Sequence, residues 1–115
     1  MIDLCSVRKI QTALRRFEET LKEQTGLSLN DAMCLCAIEK GFTEPGKLAD
    51  RLELSPSRLT RVLDSLEARK LIKRTSSKDD RRGVVVSLAN EGLRIIERYK
   101  CADVELPKEL ANAAN

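Results

Sequence analysis

Arg58 and Arg61 stand three residues apart among the small hydroxyls of Ser55, Ser57 and Thr60, and a second basic set, Lys78, Arg81 and Arg82, follows with Asp79 and Asp80 between. Guanidinium forks at helical spacing can form paired, charge-assisted hydrogen bonds with phosphate oxygens or base edges, while small hydroxyls let a backbone approach closely. Asp79 and Asp80 would weaken a plain phosphate clamp. Their expected use is orientation, because a carboxylate beside an arginine fixes its guanidinium.

From Arg58 to Arg82 there are nine basic and four acidic residues, a local net of +5, which leaves −2 on the rest of a chain whose total is +3. A basic segment in an otherwise slightly acidic chain is the charge arrangement of a nucleic-acid binder, where phosphate contacts gain affinity by counterion release. A merely solvated basic surface has the same composition. Geometry separates the two.

Other chemistries find few residues. The chain has no His, which removes the commonest general base and the commonest metal ligand. Cys34 and Cys36 invite a metal reading, but two residues apart on a helix their side chains diverge by about 200°, and no second pair sits at ligand spacing. Cys5, Cys34, Cys36 and Cys101 therefore read as reduced thiols, with Cys34 and Cys36 in the core and Cys5 an ordinary half-buried thiol. We expect no enzyme, no metal and no cofactor.

These side chains need elements to position them. The 115 residues are 42% hydrophobic and 34% charged, with seventeen Leu, six Ile and six Val against Phe17, Phe42 and Tyr99, so a single domain over 1–115 with an aliphatic core is expected. No apolar stretch approaches the roughly 18 residues of a membrane helix, and Met1 to Val7 lacks a basic region followed by an apolar run. The expected location is the cytoplasm, with no membrane partner.

Val7, Ile10, Leu14, Phe17 and Leu21 recur at spacings of three and four, which predicts an amphipathic helix from Leu4 to about Gln24, ended by Gly26. Ser28 with Asp31 resembles a capping box opening a helix to about Lys40, which Gly41 stops. Thr43 is the expected cap of a short third helix with Pro45 in its first turn, ending near Glu53. Ser55 caps the next, Pro56 takes its first position, and Leu59, Val62, Leu63 and Leu66 form one stripe to about Lys70.

From Leu71 the period changes to two. Leu71 to Thr75 and Val84 to Leu88 read as strands of a hairpin whose tip, Ser76 to Gly83, is polar and basic. Asn90 is expected to cap a helix holding Leu93, Ile96 and Tyr99, which Pro107 interrupts, with Lys108 to Asn115 a weak or frayed end.

Helix, helix, helix-turn-helix, hairpin, helix is the order of a winged helix-turn-helix, mainly α with a small β-hairpin. The apolar stripe of the Pro56 helix turns Ser57, Arg58, Thr60, Arg61 and Asp64 outward, as a recognition helix in a major groove requires. Lys78, Arg81 and Arg82 then lie on a wing beside it, suited to a minor groove.

The run Ser55-Pro56-Ser57-Arg58-Leu59-Thr60-Arg61-Val62-Leu63-Asp64-Ser65-Leu66-Glu67, followed by Leu71-Ile72-Lys73-Arg74, Asp79-Asp80-Arg81-Arg82-Gly83-Val84-Val85-Val86-Ser87-Leu88 and Glu91-Gly92, resembles the MarR family of bacterial transcriptional regulators. The resemblance extends from Leu27 to Glu97. It implies a winged helix homodimer on double-stranded DNA at a near-palindromic operator, with Ser57, Arg58, Thr60 and Arg61 on the recognition helix. Arg82 falls at the family's wing arginine and Asp80 at the aspartate that pairs with it. Ser55, Lys78 and Arg81 complete the expected DNA-binding set.

Members usually carry Thr where this chain has Ala89, so Asn90 is expected to take over the cap. They commonly end in long dimer-building helices, whereas this sequence stops soon after Pro107, so the dimer contact is expected to lean on 1–25 and on the segment from Glu91 to Leu106 within 91–115. Some relatives sense peroxide through a cysteine near Cys5, and many bind small aromatic anions between dimer helices and DNA-binding lobe, so a small-molecule effector is implied. The expected function is sequence-specific repression of transcription. The alternative is a winged helix serving as a protein-interaction module without DNA binding, which would show apolar residues on the outward face.

Overall fold

The structure, a computed structural model, describes residues 3–76 and 83–101, with backbone alone for Lys100 and Cys101. The elements run α1 (Leu4–Thr25), α2 (Leu29–Glu39), α3 (Pro45–Leu52), α4 (Pro56–Ala68), β1 (Ile72–Ser76), β2 (Val84–Leu88) and α5 (Asn90–Cys101). This is the mainly helical winged helix with one hairpin. The expected interruption at Pro107 and the frayed end lie outside the described residues.

Two compact units divide the chain, the first holding α1 and the second running from Leu29 to Cys101. The Asp3 carboxylate caps α1 by accepting the Ser6 backbone N–H at 2.7 Å, a contact that holds the Asp3 carboxyl below the usual carboxylate range. At the other end Gly26 takes φ 75° and donates to the Lys22 carbonyl, the left-handed stop that glycine permits. The Thr25 hydroxyl donates to the Leu21 carbonyl at 2.7 Å and accepts the Leu27 N–H at 3.1 Å, extending the cap into the next residue.

In the second unit α2 is the central element because it is apolar on more than one side. Cys34, Leu35, Ala37 and Ile38 are buried, and the helix touches α3, α4, α5 and β2. Gly41, at φ 108°, ends its last turn as expected. Leu48 from α3, Leu59, Leu63 and Leu66 from α4, Ile72 from β1, Val86 from β2 and Ile96 from α5 complete the core.

Thr43 does not cap α3. Glu44 holds the N-cap position without a side-chain bond, and the Thr43 carbonyl instead accepts the Val86 N–H at 2.8 Å. A buried backbone amide needs a partner, so the demand of β2 overrides the local capping preference of threonine. β1 and β2 pair antiparallel from Ile72 with Leu88 to Ser76 with Val84. The first strand starts one residue later than predicted because the Leu71 N–H still bonds back to the Leu66 carbonyl, with Lys70 left-handed at φ 62°.

Asn90 is likewise not a cap but the first residue of α5. The Ala89 carbonyl accepts the Leu93 N–H at 3.0 Å, which makes Ala89 the N-cap, a position where alanine offers no side-chain acceptor. Ala89→Ser should therefore stabilise the fold by about 1 kcal/mol. Chemical denaturation should show a higher midpoint at unchanged slope, and an unchanged or lower midpoint would refute the assignment.

Candidate nucleic-acid interface

Leu59, Leu63 and Leu66 bury one face of α4, and the helical period leaves Ser57, Arg58, Thr60, Arg61 and Asp64 exposed on the other. Ser55 caps the helix, its hydroxyl accepting the Arg58 backbone N–H at 3.2 Å. The Thr60 hydroxyl donates to the Pro56 carbonyl at 2.9 Å. Both hydroxyls thus serve the helix itself. Arg58 and Arg61 form no ion pair among the described residues, so their five-donor forks face solvent. Lys78, Asp80, Arg81 and Arg82 lie outside the described residues, in the connection beyond the Ser76 and Val84 pair.

Sequence reasoning missed Arg74. Strand alternation puts Ile72 and Arg74 on one side of β1 and Lys73 and Thr75 on the other; Ile72 is buried and Arg74 is half-buried, on the strand that packs against α4. From there its Nη2 donates to Asp64 Oδ1 at 2.7 Å and to Glu67 Oε1 at 2.8 Å. The arginine bond holds the Glu67 carboxyl below the usual carboxylate range, and the two carboxylates push the Arg74 guanidinium above its ordinary value. The available clue was an arginine in register with a core position, with two acids one turn apart on the preceding helix.

The thiols divide by burial. Cys34 is fully buried, and desolvation pushes its thiol up to about 12, far from the thiolate needed for metal binding or redox chemistry. Cys36 is half-buried rather than in the core as expected, and Cys5 is exposed rather than half-buried as expected. The correction arises because Cys5 lies in the first turn of α1, beside a Leu4 that is 88% exposed. Among the described residues no group of three acidic or thiol ligands converges on a metal position, and no helix is long and apolar enough to cross a membrane.

The family model of the MarR family matches residues 27–84, half of the chain and the whole stretch from α2 to the start of β2. The chain belongs to the MarR family. Among curated relatives, the HTH-type transcriptional regulator PapX of Escherichia coli is 34% identical over 84 residues, 73% of this chain and 46% of PapX. The chain thus spans about half the length of the curated relatives it matches. A point mutant of MarR from E. coli has the same fold, with a TM-score of 0.78 and 26% identity over 98% of this chain and 85% of that one. The same mutant solved with operator DNA gives a TM-score of 0.74 and 25% identity, covering 96% and 82%.

Proposed function

We propose that this chain is a transcriptional regulator, not an enzyme, that represses by occupying a near-palindromic operator on double-stranded DNA as a homodimer in the cytoplasm. The observation that carries the reading is the outward face of α4. Ser57, Arg58, Thr60 and Arg61 present small polar side chains and guanidinium forks that form no ion pair among the described residues, where a protein-interaction face would present apolar side chains. The MarR structure that holds operator DNA has this fold, which supports the same use here. Lys78, Arg81 and Arg82, the last oriented by Asp80, would supply the wing contacts.

The homodimer rests on α1. Leu4, Val7 and Leu14 are large apolar residues left 88%, 40% and 37% exposed on one helix, with Ile10 and Phe17 half-buried along the same stripe. A second copy of the chain would cover them, together with 91–115. Selection of bound duplexes from a random library should return a sequence with two related half-sites, and sedimentation at micromolar concentration should give a dimer. Recovery of no sequence preference would overturn the operator reading, and a monomer that stays monomeric on DNA would overturn the dimer.

A further inference from the structure

We propose that Arg74 is a positioning residue: by holding Asp64 and Glu67 it fixes the root of the wing against the recognition helix, so that both reading elements meet one half-site together. The proposal rests on the DNA-binding reading above. On the side of β1 that carries Ile72, the buried isoleucine comes first, Arg74 next and exposed Ser76 last. Arg74 is thus the outermost described side chain of that face bonded to α4, one turn below Arg61 in the helix sequence through Asp64. Val86, paired opposite Arg74, holds the second strand to the Thr43 carbonyl, and Arg74 ties the first strand to α4 at the same level.

The two acids demand an explanation of their own. Asp64 and Glu67 are neighbours on α4, where like charges three apart repel, and they stand on a surface that must approach phosphates. Exposed ion pairs add little to folding stability, and these carboxylates are 59% and 42% exposed, so stability does not account for them. Orientation does. One guanidinium nitrogen takes both carboxylates, giving each hydrogen of Nη2 one acceptor and leaving one geometry for strand against helix.

The consequence has a sign opposite to simple electrostatics. Asp64→Ala with Glu67→Ala removes two negative charges beside the DNA surface, which by charge alone should tighten binding to every duplex. Positioning predicts instead that affinity for the selected operator falls by roughly fivefold per half-site, the scale of an exposed ion-pair coupling, while affinity for random duplex holds or rises. Arg74→Gln should give the same fall in the ratio of operator to random binding. Asp64→Asn with Glu67→Gln keeps acceptors for Arg74 without the charge, and should restore part of that ratio. Thermal midpoints should stay close to the parent's throughout, which separates positioning from a folding defect. A double-alanine variant that binds operator as tightly as the parent or more tightly, at an unchanged ratio, overturns the proposal and leaves the DNA-binding reading standing. A parent that prefers no duplex overturns that reading first, and this proposal with it.

Discussion

Replacing Gly92 by alanine should lower the thermal midpoint by roughly 10–20 °C, the shift that follows from about 2–3 kcal/mol of overpacking in a unit of this size. Alanine for glycine inside a helix ordinarily stabilises, by about 1 kcal/mol. Here the sign reverses. A Cβ at Gly92 runs into the carbonyl oxygen of Leu71 and comes within 3.1 Å of its carbonyl carbon. Those atoms are backbone, so no rotamer change can relieve the overlap. The same oxygen already accepts the Ala89 N–H at 2.9 Å, so moving it also loosens the start of α5. Gly46→Ala is the matched control, since a Cβ there meets nothing within 4 Å and φ is not left-handed. It should raise the midpoint by the ordinary helix-propensity gain. Circular dichroism melts of the two variants decide the matter, and a Gly92→Ala midpoint at or above the parent's would mean that α5 does not seat against Leu71.

Loss of Arg61 should have the largest effect on DNA recognition. The side chain leaves the second turn of α4 with its fork unpaired among the described residues, and on the proposed reading it would meet a guanine edge. Arg61→Ala should cost about 1–3 kcal/mol per contacted base pair, felt once in each half-site, and relax the preference at one operator position. Arg82→Ala should behave differently, weakening binding to all sequences and reducing the slope of log K against log salt by about one per half-site. Asp80→Ala should be a milder version of the Arg82 loss, because the guanidinium remains but is no longer oriented. Binding of the three variants to operator and random duplex across a salt series measures both effects. If every variant matches the parent on both duplexes, this face does not bind DNA.

What was legible in the sequence was whatever depends on residues within a turn or two of one another. The stripe Leu59, Val62, Leu63 and Leu66 located α4, Ser55 and Pro56 its start, Gly26 and Gly41 the ends of α1 and α2, and the run Val84 to Leu88 the second strand. Each follows from backbone propensity or from the 3.6 or 2.0 residue period, which neighbours alone establish. The outward placement of Ser57, Arg58, Thr60 and Arg61 followed from the same period once the apolar face was known.

Tertiary structure decided the partners of groups whose needs are met from elsewhere in the chain. Thr43 is a good local cap, yet the buried Val86 amide claims its carbonyl and leaves the α3 cap to Glu44. Asn90 is a better cap than Ala89 by type, but the carbonyl that receives the Leu93 amide belongs to Ala89. Arg74 reads locally as one more basic residue of a basic segment, and only the packing of β1 on α4 brings it to Asp64, ten residues back, and Glu67. A buried amide must be satisfied wherever the fold places it, a half-buried arginine finds its acceptors only through packing, and the position of such partners along the chain carries no periodic trace; so the sequence determined the elements and the outward face of α4, while packing alone brought Arg74 of β1 onto that helix.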